Sequence, residues 1–364
     1  METMMKLSER YLAVLTLVTL LAITGCGGGN SQSNDESNIN LSKDSSFHKE
    51  LSEWWYYTGH LNRDEARWGF QVTIFQYDLE ESFGIQGFGY MCHVAVTDKI
   101  EKEHYHNNTF SITPQKWQAE PPILEVDDCY FELDGDGRDH IIARIPEGQE
   151  KDGKASPWQL DLTFEPQKKA VLHGGDGIIP MGNAGGTSWY YSYTRLAATG
   201  ILTTPEEEVE VTGQAWMDHQ WGPFDINDFK GWDWWSMQFE DGWEIMLFVF
   251  TNWDGTLASQ VGTLIDPEGN VTELEGVADF TITPKRTWES THTDGIYPID
   301  WDIIIHKLDW SLEVRTSIDD QEMHNSVQNY WEGETVISGT RSGTQVTGIG
   351  YTELTGYATD SLDP

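Results

Sequence analysis

Two short runs concentrate residue types capable of chemistry. Ala215-Trp216-Met217-Asp218-His219-Gln220-Trp221-Gly222 brings a carboxylate, an imidazole and two indoles together, and Glu53-Trp54-Trp55-Tyr56-Tyr57 sets an acid beside four aromatic rings. A carboxyl group among rings loses solvation, so its pKa rises toward the range of a general acid. The ring faces can stabilise a cation formed next to it. If both runs are extended, Met217, His219 and Trp221 share one face, and Trp216, Asp218 and Gln220 the other. Asp218 and His219 then meet one substrate only across a bulge. The plainer alternative is a packed seam of tryptophans with a hydrogen-bonded histidine. By the same alternation Glu53, Trp55 and Tyr57 share a face, where Glu53 is either an acid or a carboxylate at a solvated barrel rim. Tyr191, Tyr193 and Arg195 form a similar stripe, read as core packing capped by an exposed arginine.

Other signals are weaker. His104 and His106 stand at i and i+2 without an evident third ligand, which reads as surface histidine, and no metal site is expected. Asp134-Gly135-Asp136-Gly137-Arg138-Asp139 has its glycines in the wrong places for a calcium loop and reads as a hairpin turn. Nucleophile-elbow, phosphate-loop, dinucleotide and His-Glu-x-x-His patterns are all missing from the sequence. With 60 Asp+Glu against 22 Lys+Arg and a net charge of −38, the chain would repel nucleic acid and anionic headgroups. Its 17 tryptophans argue against general disorder, because they need a core.

The elements that must position these residues are strands. GFQVTIFQY (69–77), WQLDLTF (158–164), EIMLFVF (244–250) and WDIII (301–305) are short β-branched and aromatic runs between Asp-Gly turns, and no long amphipathic helix is visible. The chain reads as all-β. Four motifs recur in order: Trp54–Tyr57 with Trp234–Met237, Phe110–Pro114 with Phe280–Pro284, Leu160–Leu162 with Trp301–Ile303, and Val211–Gly213 with Val346–Gly348. They point to a tandem duplication with its boundary between Gly222 and Gly231. Closed antiparallel barrels, at 47–222 and 223–364, are the favoured architecture because closure removes sheet edges; a two-sheet sandwich competes. Cys92 and Cys129 both fall in strands of the first copy, and geometry decides whether they pair or remain two buried thiols.

The N-terminus carries its own message. Residues 1–25 hold Lys6 and Arg10 ahead of an apolar run too short to span a bilayer, which fits a signal peptide. The run ends Leu-Ala-Ile-Thr-Gly-Cys and resembles a bacterial lipobox, implying acylation of Cys26 and an extracytoplasmic, lipid-anchored protein. Residues 26–46 read as a flexible polar tether.

Glu53-Trp54-Trp55-Tyr56, Gly182-Asn183, Ser188-Trp189-Tyr190-Tyr191-Ser192, Thr194-Arg195-Leu196 and Ala215–Trp221 together resemble the AttH-like family, which includes hydroxyneurosporene synthase, a carotenoid 1,2-hydratase. The resemblance runs from about Glu53 to Tyr357 and implies two lipocalin-like barrels packed side by side. Relatives include hydratases that add water to an isolated double bond of a prenyl or carotenoid chain, similar fungal proteins act as pericyclases, and many other members are encoded beside ABC-transporter permeases and have no demonstrated reaction. Two functions therefore stand as expectations. The first is a lipid-anchored carrier of a small apolar ligand, serving an ABC exporter. The second is a cofactor-free hydratase with Asp218 or Glu53 as acid and His219 as its aide. The aromatic walls would be drawn from Trp55, Tyr57, Tyr191, Trp216, Trp221 and Trp235.

Overall fold

The computed structural model describes residues 39–63, 66–80, 84–146, 157–181, 186–324 and 328–359. The signal segment, Cys26 and Gly182-Asn183 lie outside them. Among the described residues, twenty-three strands form two antiparallel sheets. The first contains β1 (Ser52–Arg63), β2 (Ala66–Asp78), β3 (Phe88–Asp98), β4 (Glu103–Ser111), β5 (Lys116–Ala119), β6 (Pro122–Val126) and β7 (Cys129–Glu132). It continues through β8 (His140–Ile145), β9 (Trp158–Pro166), β10 (Val171–Leu172), β11 (Ile178–Met181), β12 (Gly186–Thr203) and β13 (Glu208–Gly222). The second contains β14 (Gly231–Phe239), β15 (Glu244–Thr251), β16 (Leu257–Ile265), β17 (Val271–Glu275) and β18 (Phe280–Glu289). Then follow β19 (Ile296–Ile305), β20 (Trp310–Thr316), β21 (Glu322–Met323), β22 (Tyr330–Arg341) and β23 (Thr344–Leu354).

The ladders run β4-β3-β2-β1-β13-β12-β9-β8-β7-β6-β5 and β17-β16-β15-β14-β23-β22-β20-β19-β18. The second repeats the first: four strands step outward, the last strand returns beside the first, and the rest follow it. Of the four sequence echoes, Trp54–Tyr57 and Val211–Gly213 fall on strands equivalent to their partners'. The other two do not. Leu160–Leu162 lies on β9, whereas Trp301–Ile303 lies on β19, one ladder place further out, and Phe110 and Phe280 lie at opposite ends of their ladders. Among the described residues no ladder joins β4 to β5 or β17 to β18, so each sheet is a curled half-barrel and not a hydrogen-bonded closed one.

Burial explains why the tryptophan-rich runs are continuous instead of alternating. On β13 residues 208–212 alternate exposed and buried, while 215–222 are all buried; β1 is buried from Ser52 to Leu61. Strands covered on one face need apolar side chains at every second position, but strands covered on both need them throughout. Here one face closes on the first barrel's core, with Trp55, Tyr57, Tyr191, Met217 and Trp221. The other closes on the second sheet through Trp54, Tyr56, Tyr190, Trp216, Trp234 and Phe248. A separate core around Trp235, Trp301 and Trp331 fills the second barrel. Ion pairs clamp the seam: Glu244 of the second sheet receives Lys168 Nζ at 2.6 Å and Arg195 Nε. Arg195 is therefore a half-buried cross-barrel contact and not an exposed cap.

Residues 39–46, expected in the tether, touch the first barrel at Ile39, Leu41 and Ser45, while Asn40, Ser42 and Lys43 are exposed. Ile39 and Leu41 lie on the first core, and the Trp55 indole donates to the Ser45 carbonyl at 3.0 Å, because these apolar side chains have a core edge to cover. Cys92 on β3 and Cys129 on β7 form a disulfide across the first barrel, with Cα atoms 5.8 Å apart.

Candidate functional site

β1 and β13 pair with Trp55 opposite His219 and Tyr56 opposite Asp218. Successive side chains therefore separate the two motifs into two environments. Trp54, Tyr56, Trp216, Asp218 and Gln220 face the seam. Glu53, Trp55, Tyr57, His219 and Trp221 face the first barrel's interior. No bulge interrupts this register, so Asp218 and His219 do not share a site.

The seam holds a narrow pocket open to solvent, with a cavity volume of about 20 Å³. The first sheet lines it with Trp54, Tyr56, Phe75, Tyr190, Asp218 and Gln220; the second adds Trp232, Trp234, Phe248 and Glu353. Asp218 is the most elaborately held of these groups. Its Oδ2 accepts from the Tyr190 hydroxyl at 2.7 Å, and its Oδ1 accepts from the Trp216 indole at 2.6 Å and from Ser192. The Trp234 indole in turn donates to the Tyr190 oxygen at 3.1 Å. Because Ser192 gives its proton to Asp218, His173 Nε2 must donate to Ser192, 2.7 Å away. His173 Nδ1 then accepts from Thr263 of the second sheet at 2.8 Å. Burial lowers His173 to about 3, which keeps this relay neutral.

Burial pushes the Asp218 carboxyl up to about 7 even though three donors pull it down. Glu353, partly exposed, also rises to about 7: desolvation is the main cause, the Trp232 indole at 2.9 Å opposes it, and the Asp218 charge adds to it. Three donors hold the Asp218 carboxyl, and one, the Trp232 indole, holds that of Glu353. A third carboxyl behind the wall, Glu332, accepts from the Tyr56 hydroxyl at 2.6 Å and is driven well above its usual range by burial.

The remaining candidates sit elsewhere. Glu53 Oε1 receives His219 Nε2 at 2.9 Å and His48 Nδ1 at 2.7 Å inside the first barrel. Trp55 stacks on His219 with centroids 4.8 Å apart. Tyr191 donates to His219 Nδ1 at 3.2 Å, and Tyr57 donates to buried Asp139 at 2.7 Å. Trp221 packs under His48, and Trp235 belongs to the second barrel's core. Trp216 reaches the seam, where it positions Asp218. None of Glu53, His219, Trp55, Tyr57, Tyr191, Trp221 or Trp235 lines the pocket. His104 and His106 are not surface groups: His104 is buried against Thr97, and His106 meets the His324 carbonyl of the second barrel at 3.0 Å. No metal set was expected, yet His48, Glu53 and His219 bring three ligand atoms within 4.8 Å of one another.

Glu353, Trp232, Trp234, Tyr190 and Phe75 are not among the candidate site residues that the sequence offers. The register pairs Trp54 with Gln220 and Trp234 with Glu353, so Glu353 occupies in the second copy the place of Gln220 in the first.

The AttH-like family model matches residues 32–357. Kievitone hydratase of Fusarium solani subsp. phaseoli is 23% identical over 202 residues, 54% of this chain and 56% of that protein. The dehydratase asqC of Emericella nidulans is 22% identical over 208 residues, 54% of this chain and 57% of that protein. These alignments thus span little more than half of either curated relative. An AttH crystal structure from Nitrosomonas europaea superposes with a TM-score of 0.75 at 26% identity, covering 88% of this chain and 98% of that one. Kievitone hydratase from Nectria haematococca superposes at 0.70 and 18% identity, covering 91% and 96%, which speaks for the fold.

Proposed function

Because the chain belongs to the AttH-like family, we propose that the inter-barrel pocket is the active site of a cofactor-free hydratase or dehydratase acting on an apolar alkene or its alcohol. One observation carries this reading. Two carboxyl groups, one from each barrel and both shifted to about 7, face one pocket whose other walls are mostly aromatic.

In the hydration direction, protonated Glu353 gives its proton to the less substituted alkene carbon, and the π pair becomes the new C–H bond. The tertiary cation left behind is stabilised by the faces of Trp54, Trp232, Trp234 and Phe248 and by ionised Asp218. Water adds to the cation, and its surplus proton passes to Asp218, directly or through the Tyr190 hydroxyl. Proton exchange between the two carboxyls restores the starting state, and dehydration is the same path reversed. His219 and Glu53, on the far face of the sheet, have no part in it.

A lipid carrier using a barrel interior is less well supported. Trp55, Tyr57, Phe131 and Phe164 fill the first interior and Trp235, Trp301 and Trp331 the second. We retain the anchored, extracytoplasmic setting as a companion proposal. The lipobox-like stretch ending at Cys26 and the Cys92–Cys129 disulfide support it, since such bonds persist in oxidising compartments.

The test is turnover of trisubstituted alkenes and tertiary alcohols by the purified chain in H₂¹⁸O, read as gain or loss of labelled water by mass spectrometry. Full rates in Glu353→Gln would remove the assignment.

A further inference from the structure

We propose that His48, Glu53 and His219 form a divalent-cation site, with zinc as the fitting metal, that fastens the segment before β1 across the end of the first barrel. The site is on the opposite face of the sheet from the seam pocket and is independent of the hydratase reading. Two imidazoles and one carboxylate form a ligand set used for zinc and other first-row divalent ions. His48 Nδ1 and His219 Nε2 both point at Glu53 Oε1, from 2.7 and 2.9 Å. A cation with bonds of ~2.0–2.2 Å holds neighbouring ligand atoms roughly 3 Å apart or slightly more, so the Glu53 oxygen must draw back slightly while the two imidazole nitrogens, within 4.8 Å of each other, close around the ion.

What distinguishes this trio from an ordinary hydrogen-bonded cluster is that each member has a second partner on its far side. His219 Nδ1 faces the Tyr191 hydroxyl at 3.2 Å, which can accept the ring proton once Nε2 carries the metal. His48 Nε2 lies 3.8 Å from Asp44 Oδ1. Glu53 Oε2 accepts from the His48 backbone N–H at 2.7 Å and from Gln76 Nε2 at 3.2 Å. Such outer partners orient ligands and select the tautomer that binds metal. The rings are also held flat: His48 stacks on Trp221 at 4.3 Å with planes 4° apart, and His219 lies against Trp55 at 4.8 Å. Glu53 and His219 are fully buried, whereas His48 keeps 21% of its side chain exposed, which opens a path for the ion and leaves a coordination position for water.

The test is a zinc titration of the chelator-treated full chain by calorimetry, beside His48→Ala. That substitution removes the one exposed ligand outside the strands and leaves the buried Glu53–His219 pair in place. One zinc per chain, bound at least tenfold more weakly by His48→Ala, is the expected result. Cobalt should give visible d–d absorption in the wild type that the variant loses. Zinc should also raise the thermal midpoint of the wild type and not of the variant. Absence of stoichiometric binding, or equal binding by His48→Ala, would overturn the site and leave the trio as hydrogen bonds only.

Discussion

Asp218 and His219 are adjacent in the chain and face opposite sides of one sheet, Asp218 toward Tyr190 in the seam and His219 toward Glu53 inside the first barrel. The separation divides the densest motif of the sequence between two sites, and the expected effects of substitution divide the same way.

Glu353→Gln and Asp218→Asn should each lower turnover by ~10²–10⁴-fold, the usual range for a positioned acid or base. Their pH profiles should differ. Glu353 must be protonated, so the wild-type rate falls as pH rises through about 7. Residual activity in Glu353→Gln should lack that alkaline limb. Steady-state rates between pH 5 and 9 check both statements, and an unchanged limb would move the acid elsewhere.

Tyr190→Phe removes a donor to Asp218 and leaves the Trp234 indole without its acceptor. A cost of about 1–3 kcal/mol in stability is expected from the orphaned donor. The lost hydrogen bond also favours the protonated form of Asp218, so any acidic limb due to this group should move to higher pH. Chemical denaturation and pH–rate curves on the same preparation separate the two effects.

Glu334 links the barrels through Lys99 at 2.9 Å and His60 at 3.3 Å. Burial alone would raise its pKa, but these partners outweigh it and hold the group at about 2, against an ordinary 4.5. A depressed folded-state pKa means stabilisation that is present above pH ~4.5 and lost as pH falls toward 2. Wild-type stability should decline across that window more steeply than that of Glu334→Gln. Parallel curves would show that the ion cluster contributes nothing.

Glu244→Gln removes the carboxylate from both Lys168 and Arg195, which keep only carbonyl acceptors, and removing one side of a buried pair typically costs ~3–5 kcal/mol. Arg63→Ala breaks a pair that is 44% and 58% exposed and should cost under ~1 kcal/mol. Thermal unfolding of both variants tests whether the seam clamp or the surface pair matters.

Replacing Cys92 and Cys129 together by alanine opens a link between residues 37 apart. A loss of about 2–4 kcal/mol is expected. A reducing agent should produce the same loss in the wild type and none in the double variant.

Residue order alone determined much of this protein. The two-residue period marked strands, the echo of Trp54–Tyr57 in Trp234–Met237 marked a second copy, and alternation along 215–222 already assigned Asp218 and His219 to different faces. Those properties are local, set by the pleat and by which side chains tolerate it. The use of each face was not local. Only packing decided that the Asp218 face meets a second sheet, because that depends on how two half-barrels dock. Docking brings Glu353, 135 residues downstream of Asp218, into the same pocket, and it turns Arg195 from a surface cap into a clamp on Glu244. Folding of the segment before β1 likewise carries His48 onto Trp221 and Glu53, a meeting that no spacing in the sequence encodes. The acid–base character of Asp218 and Glu353 has the same origin, since a carboxyl rises to about 7 only when the opposing sheet removes its water.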